Sequence, residues 1–150
     1  MSYIITKNTL AIIPRGKKSK IIEGKHSLLA NEETAKIIEQ NCYLNGSTLE
    51  GRIKGSSYLL GSSYKPPIII NDSLNIILIP THSIRNKNCH WINLITMLHY
   101  SPTNDNKVLI EFINNHKLII NVSYNIFDKQ VLRATRLEST IKGRIYQKYL

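Results

Sequence analysis

The hydrophobic residues of this chain fall in short, isoleucine-rich runs that alternate with clusters of Asn, Ser, Gly, Pro and Lys. Two runs at the centre of the chain, residues 68–70 and 76–79, are too short for buried helices. The segment between them begins with Asn71, Asp72 and Ser73, which favour turns. The pattern therefore predicts two strands joined as a hairpin.

Positively charged segments flank this central hairpin. Residues 51–65 precede its first strand and residues 81–88 follow its second strand, and both segments are predicted as loops. An antiparallel hairpin brings the residues before its first strand close to those after its second. We therefore expect one surface that collects five cations from the two loops: Arg52, Lys54, Lys65, Arg85 and Lys87.

The N-terminal part also combines short apolar runs with a basic segment. Residues 3–6 and 9–14 are short β-branched runs, which predict a hairpin or a bent pair of strands. Residues 15–20 contain four cations and are predicted as an exposed basic loop. Such a loop suits phosphate contact as well as it suits simple solvation beside a sheet edge.

Strands are also predicted after the central hairpin. Residues 91–95 and 97–100 favour strand, with an interruption near Ser101 and Pro102. Trp91 is expected to anchor the core rather than to stack on a base. Residues 108–113 and 116–122 form a further hairpin pattern, joined by two asparagines that suit a type I′ turn.

Two helices complete the pattern. Asn31 followed by two glutamates predicts the start of a short helix near residues 31–41. Cys42, just after it, is expected to be a small apolar core residue. Asp128 is predicted to cap a C-terminal helix near residues 128–150.

The predicted C-terminal helix is amphipathic. At about 100° per residue, an apolar sector and a separate basic stripe emerge. The apolar sector contains Phe127, Val131, Ala134, Ile141, Ile145 and Tyr149, and the basic stripe contains Lys129, Arg133, Arg136, Arg144 and Lys148. Glu138 within the apolar sector and Gly143 in the interior predict a break near Gly143. The stripe suits a solvated face and a phosphate-contacting surface equally well.

These elements predict one domain, residues 1–150, of the α+β class and mainly β. Strands dominate residues 3–122 and no crossover helix separates them, so they should pair antiparallel throughout, in a sheet or a small barrel-like core. The chain has 150 residues, of which 42% are hydrophobic, which is enough for a substantial core.

The net charge and its distribution favour one class of function. The formal net charge is +10, and residues 1–30 and 128–150 each carry six cations against one and two anions. A pI near 9.7 with clustered Lys and Arg is typical of a polyanion binder, although surplus charge can also serve solubility alone.

The sequence gives little support for catalysis. His82, Cys89 and His90 do not have a spacing that closes a tetrahedral metal site. Nucleophile-elbow, P-loop and dinucleotide-binding motifs do not occur, and the ten carboxylates lie far apart along the chain. We expect no enzymatic activity, no metal and no cofactor. A hydrolase whose site assembles only in space is the least favoured class.

The chain is expected to be cytoplasmic and associated with the nucleoid. No apolar run reaches the length of a transmembrane helix, and the first thirty residues do not resemble a signal peptide. The two cysteines provide no disulfide framework.

An ordered set of motifs resembles the ComK family of competence transcription factors from Gram-positive bacteria. The matching motifs span roughly residues 3–133 in the order expected of the family. They are Tyr3 with residues 9–14, Asn41-Cys42, Gly46-Ser47, Gly51-Arg52, Lys65-Pro66-Pro67-Ile68, residues 80–85, Trp91-Ile92 and residues 122–125 with Phe127 and Gln130.

The resemblance implies a sequence-selective transcription activator that binds double-stranded DNA. Members of the family are described as dimers assembled in pairs on AT-rich promoter boxes, which they read through the minor groove. RNA polymerase is a further candidate partner. Family members usually continue beyond the equivalent of Leu150 through a tail linked to adaptor-directed proteolysis, so a proteolytic adaptor is not expected as a partner here.

Together these observations give a set of candidate DNA-binding residues. Three come from the predicted first loop, five from the second and two from the C-terminal stripe: Arg52, Lys54, Lys65, Thr81, Ser83, Arg85, Lys87, Asn88, Arg133 and Arg136. A general single-stranded nucleic-acid or RNA-binding β-barrel is the alternative, and Tyr58 and Tyr64 beside the basic segments are its candidate stacking residues.

Overall fold

The computed structural model describes residues 3–147, and only the backbone is described for residues 144–147. The predicted class is confirmed, because the described residues form nine strands in antiparallel sheets and three α-helices. In chain order these are β1 (Thr9–Arg15), β2 (Lys18–Glu23), β3 (His26–Ala30), α1 (Thr34–Leu44), α2 (Leu49–Leu60), β4 (Ile68–Asn71), β5 (Ile76–Pro80), β6 (Trp91–Asn93), β7 (Met97–Pro102), β8 (Val108–Phe112), β9 (Lys117–Ile120) and α3 (Tyr124–Gln147).

Six strands form the larger sheet, in the order β3-β2-β1-β6-β5-β4. The predicted central hairpin is confirmed as β4 and β5, with Ile69 opposite Ile77. Every residue of β5 is buried, because both faces of the sheet are covered. Continuous apolar runs such as these are typical of strands buried on both faces.

Each face of this sheet has its own core. On one face, isoleucines of the sheet and Trp91 pack against Ile37, Ile38 and Cys42 of α1. On the other face, the sheet packs against Phe127 of α3 and against the second sheet. The six-stranded sheet is therefore the middle layer of three.

The second sheet has the order β7-β8-β9. A single 3-10 turn, Leu94–Thr96, carries the chain into it from β6. Strand β7 ends at Pro102, in agreement with the predicted interruption near Ser101 and Pro102. A further break at residues 94–96 follows Asn93, whose side-chain amide donates to the carbonyl of Thr9 at 2.9 Å.

The hairpin of β8 and β9 is confirmed, but its predicted type I′ turn was wrong. Of the two asparagines only Asn115 has a positive φ, of 71°. Asn114 is held by its side chain instead, which donates to the carbonyl of Gly24 at 2.6 Å and accepts the backbone N–H of His116 at 3.1 Å.

Helix α1 is displaced from its predicted bounds. It begins at Thr34 and ends at Leu44 rather than spanning residues 31–41, and its N-cap is Glu33. Cys42 therefore lies inside the helix, where it is fully buried. Burial raises the pKa of the Cys42 thiol, which confirms the predicted core role.

Helix α2 overturns the prediction of a loop over residues 51–65. The Thr48 hydroxyl caps the helix by accepting the backbone N–H of Gly51 at 2.8 Å, and Gly61 ends it with a φ of 69°. Leu49, Ile53 and Leu60 bring its apolar side onto the two cores. Gly and Ser have weak helix propensity, and this tertiary packing outweighs it.

The N-terminal predictions need two corrections. Residues 3–6 are not a strand. They are tied to α1 by Asn41, whose side chain accepts the N–H of Ile5 and donates to the carbonyl of Tyr3, each at 2.9 Å. Residues 15–20 are not a loop, because Gly16 and Lys17 alone make the turn and Lys18 already begins β2.

Helix α3 begins at Tyr124, four residues before the predicted cap at Asp128. It continues through Gly143 without the predicted break, since one glycine weakens a helix by about 1 kcal/mol without ending it. The apolar sector is confirmed for Phe127, Val131 and Ala134, which are buried. Predictions for Lys148 and Tyr149 fall outside the described residues, as do those for the side chains of Arg144 and Ile145.

Trp91 is fully buried, so its predicted core role is confirmed. Replacing Trp91 by Phe should lower the free energy of unfolding by about 1–3 kcal/mol, because the smaller ring leaves a cavity. The loss is partly offset, since the indole N–H has no hydrogen-bond partner among the described residues. Urea denaturation measures this change. Tyr58→Phe, at a residue 83% exposed, is the control and should leave stability unchanged.

Candidate nucleic-acid interface

Six cations gather at one end of the larger sheet. Trp91 pairs with Ile12 of β1 and with Pro80 of β5, so the strands leave the sheet side by side here. This end carries the β1–β2 turn, the loop of residues 81–90 and the segment before β4. We call it the basic end, and its cations are Arg15, Lys17, Lys18, Lys65, Arg85 and Lys87.

The loop of residues 81–90 is held in one shape by hydrogen bonds along its own length. At its base the Thr81 N–H donates to the carbonyl of His90 at 3.0 Å, and the His90 N–H donates to the Thr81 hydroxyl at 2.9 Å. Above this pair, Asn86 donates to Ser83 at 2.9 Å and Cys89 donates to Asn86 at 3.1 Å through their backbones. The loop is therefore two consecutive turns on a closed base.

The titratable groups inside this loop favour their uncharged forms. Burial, followed by the charges of His90 and Lys65, lowers the pKa of His82 below its usual value. Burial also lowers the pKa of His90, and Arg15 lowers it further against the opposing effect of a hydrogen bond to Asn88. Both imidazoles are therefore neutral at pH 7. Burial raises the pKa of the Cys89 thiol to about 11, which makes it unreactive.

The causes of these pKa shifts also indicate which cations lie near the loop. Lys65 acts on His82 and Arg15 acts on His90, so one cation from the β4 side and one from the β1 side flank the loop. Lys65 has a φ of 44°, and its ammonium group lies 4.9 Å from the centre of the Tyr64 ring. The basic end is thus built from three separate segments of the chain.

A polar network from α3 holds the base of this surface together. The side-chain amide of Gln130 is 3% exposed and donates to the carbonyls of Lys65 and Pro80, each at 2.9 Å. It thereby joins the two arms of the central hairpin. The guanidinium of Arg133 donates to the carbonyls of Tyr64 and Lys65 and to Gln130.

The candidate DNA-binding residues in the loop of residues 81–90 lie partly at its exposed tip and partly at its buried base. Ser83, Arg85, Lys87 and Asn88 are exposed at the tip. Thr81 is 2% exposed, and its hydroxyl already accepts the N–H of His90. Thr81 therefore shapes the loop, while the other four present their side chains to solvent.

Arg52 and Lys54 do not join this surface, which corrects the expectation of a single five-cation patch. Both lie in the first half of α2, and Arg52 is close enough to Cys42 of α1 to affect its pKa. Helix α1 ends beside the β4–β5 turn, where the Asn71 amide donates to Asn45 at 3.0 Å. The two cations therefore lie toward the opposite end of the sheet. Lys54 also pairs with Glu50 at 3.0 Å.

The two candidates on α3 have different surroundings. Arg133 faces the segment before β4, and burial lowers the pKa of its guanidinium, which stays charged at neutral pH. Arg136 is exposed about 9 Å along the helix axis from Gln130, toward Glu138, which contacts the opposite end of the sheet through Asn75 at 2.6 Å. The predicted basic stripe is thus not one surface.

Arg15, Lys17 and Lys18 were missing from the predicted site. Their segment has a high density of cations, but only the pairing of β1 with β6 brings it beside residues 81–90. Among the side chains that the structure describes, none of the six basic-end cations forms an ion pair with a carboxylate. The basic end therefore presents a concentration of positive charge.

Neither a metal-binding cluster nor a membrane-spanning helix is found among the described residues. Over the part of the chain that is described, His, Cys, Asp and Glu side chains do not gather in groups of three or more that could hold a metal ion. None of the helices seen in these residues is long and apolar enough to cross a membrane.

Comparison with known proteins supports the family that the motifs suggested. The ComK protein family matches residues 1–146. The chain is 32% identical over 148 residues to the competence transcription factor of Bacillus subtilis (strain 168), a match that covers 96% of this chain and 77% of that protein. No solved structure matches significantly.

The Gln130 network generates a stability prediction. Gln130→Leu should lower the free energy of unfolding by about 1–3 kcal/mol, because the buried carbonyl of Pro80 loses its donor and the carbonyl of Lys65 keeps only Arg133. Chemical denaturation measures the loss. Gln40→Leu is the matched control, since the Gln40 amide donates to Glu32 at the partly exposed surface and should cost less than about 1 kcal/mol. Equal effects of the two changes would contradict a special role for Gln130.

Proposed function

This chain belongs to the ComK family, and we propose that it is a transcription activator of competence genes that binds double-stranded DNA through the basic end. The supporting observation is a group of six cations around a hydrogen-bonded loop, none of which pairs with a carboxylate among the described side chains. A polyanion gains from such a surface because each phosphate contact releases condensed counterions. A preformed loop also loses little conformational entropy on binding.

We assign different tasks to the tip and the flanks of the basic end. Arg85 and Lys87 at the tip enter the groove, and Ser83 and Asn88 supply hydrogen bonds to base edges or phosphates. Lys65 and Arg15, which flank the loop, contact phosphates on either side. Arg133 and Thr81 act indirectly, by shaping the segments that carry Lys65 and the tip.

The proposed target is an AT-rich promoter box read mainly through the minor groove. The cations of the basic end lie on turns and loops, whereas reading of the major groove by this class of protein commonly uses a helix. The start of α1 lies beside this end, since the carbonyl of Glu32 accepts the Ser19 hydroxyl at 2.6 Å. That helix start carries Glu32 and Glu33, whose charges repel phosphates. A narrow AT-rich minor groove, in contrast, attracts inserted cations.

The proposal also includes the oligomeric assembly and the cellular location that the family resemblance implies. The protein works in the cytoplasm on the nucleoid, as dimers assembled in pairs on promoter DNA, and contacts RNA polymerase there. It has no catalytic role in this scheme.

A specific observation supports the alternative of single-strand binding. Tyr64 is 69% exposed at the basic end, directly before Lys65. An exposed aromatic ring beside a cation is the arrangement on which unpaired bases stack. Comparing AT-box duplex, scrambled duplex and the separated strands in one gel-shift series distinguishes the two functions, because a stacking surface prefers the strands.

The first prediction for DNA binding concerns Arg85. Arg85→Ala should weaken binding to AT-box duplex by about 1–3 kcal/mol, because a groove-inserted cation and its hydrogen bonds are lost. Fluorescence anisotropy measures the affinity, and circular dichroism checks that the variant is folded.

Arg136→Ala is the comparison for Arg85→Ala, since both remove one exposed arginine. The proposed interface excludes Arg136, so its removal should change affinity far less. Wild-type affinity for Arg85→Ala, or an equal loss for Arg136→Ala, would move the interface away from the basic end.

The second prediction concerns the groove. The logarithm of affinity should fall linearly with the logarithm of salt concentration, with a slope magnitude of about 4–8 for a handful of phosphate contacts. Replacing A·T by I·C pairs keeps a similar minor-groove face and changes the major-groove face. Binding should therefore survive this replacement and should be competed by netropsin. Collapse of binding on an intact I·C duplex would contradict minor-groove reading.

A further inference from the structure

A groove beside the basic end lies on one face of the larger sheet, where β2 meets the edge strand β3. It is open, has a volume of ≈ 510 Å³ and is lined by Arg15, Lys18, Lys20, Ser27, Leu28 and Leu29. Three of the six lining residues are cations and none is acidic. The groove is thus positively charged along its length.

Strand register explains how the three cations come to share one face. Arg15 pairs with Lys18 across β1 and β2, and Lys20 pairs with Ile13 two residues before Arg15. Side chains alternate between faces along a strand, so all three cations share the face of Ile13. That face is the one that α3 and the second sheet cover farther along.

Neither α3 nor the second sheet extends over these three cations. The second sheet meets the β2–β3 hairpin at its turn, where the Asn114 amide donates to the carbonyl of Gly24 at 2.6 Å. Lys18 and Leu29 at the other end of this hairpin are exposed, and Leu29 is 58% accessible. An uncovered, cation-lined strip therefore remains beside the basic end.

We propose that this groove is a second phosphate-binding subsite, which extends the DNA contact from the basic end onto the face of β2 and β3. The inference rests on the proposed DNA-binding function. Arg15 connects the two regions, because it lines the groove and also lies close enough to His90 to lower its pKa. A phosphate backbone that leaves the loop of residues 81–90 on this side meets Arg15 first and then the two lysines.

The dimensions and chemistry of the strip fit one strand of a duplex. Neighbouring strands place Arg15 and Lys18 about 5 Å apart at Cβ, and Lys18 and Lys20 are separated by two strand residues, or about 6.6 Å. These two directions are perpendicular, so the three cations span about 8 Å. A DNA strand carries a phosphate every ~3.4 Å of helix axis, so the group matches two or three phosphates. Leu29 offers an apolar contact for the deoxyribose between them.

A second copy of the chain fits this groove poorly. Two copies facing each other here would bring six cations together without a carboxylate in the lining of either groove. Like charges this close repel, and the net charge of +10 adds to the repulsion. Charge complementarity therefore favours a polyanion.

The test compares two doubly substituted proteins of equal charge. Lys18→Gln/Lys20→Gln removes two groove cations, whereas Lys7→Gln/Lys25→Gln removes two cations near the turn at the opposite end of the β2–β3 hairpin. Lys7 and Lys25 are both exposed, and the carbonyl of Asn8 accepts the Gly24 N–H at 3.0 Å, which places them together there. Gln keeps the aliphatic part of each lysine.

The groove variant should bind AT-box duplex roughly tenfold to hundredfold more weakly at 100 mM salt, and its salt slope should fall by about 2 in magnitude. The preference for AT-box over scrambled duplex should stay unchanged, because phosphate contacts carry no sequence information. The control variant should show at most a small change in both quantities.

A phosphate scan adds a direct readout. Single methylphosphonate linkages neutralise one phosphate at a time, and those that weaken wild-type binding at the groove should have no further effect on the Lys18→Gln/Lys20→Gln variant. Linkages that contact the loop tip should still weaken it. This non-additivity reports contact, which a general loss of stability would not produce.

These experiments distinguish a failure of the proposed DNA-binding function from a failure of the groove assignment. If the wild-type protein does not bind duplex DNA, the proposed function itself is wrong. If the wild type binds and Arg85→Ala weakens it, while the groove variant matches the control variant, only the groove assignment is overturned. An acidic protein segment then becomes the occupant to test.

Discussion

The middle layer of the structure depends on the burial of isoleucine-rich strands on both faces. Strands β1, β5 and β6 are covered by α1 on one side and by α3 with the second sheet on the other. A strand enclosed in this way cannot slip by one residue without moving polar groups into a core. The register therefore fixes which turns emerge together, and that register assembles the basic end.

Tight packing alone does not hold the basic end in shape. Its irregular segments have backbone N–H and C=O groups that are not paired in a sheet and need other hydrogen-bond partners. Gln130 and Thr81 provide the missing partners at the base of the central hairpin and of the loop of residues 81–90. The cost of an unpaired buried carbonyl makes these contacts important for stability. The C-terminal helix thus supports the charged surface from below, and Arg133 belongs to this support.

Concentrating cations at one end of a small protein raises its electrostatic energy. Two features of the structure limit this cost. His82 and His90 are neutral at pH 7, since burial and the neighbouring cations lower their pKa values, so they add no charge to the loop. The cations themselves extend into solvent from a backbone that is already ordered. Repulsion that persists in the free protein is relieved when a polyanion binds, which favours association.

Local sequence determined the elements whose apolar pattern and turn residues agree. The β4–β5 and β8–β9 hairpins, the core roles of Cys42 and Trp91 and the apolar sector of α3 were predictable for that reason, as was the family. Only the tertiary structure decided the rest. Helix α2 exists because Thr48, Gly61 and packing on both cores outweigh weak propensity. Arg15 joins Arg85 through strand pairing between residues distant in sequence, while Arg52 is carried away by a helix. Propensity acts over a few residues, whereas grouping of charges depends on register and layer packing across the whole chain.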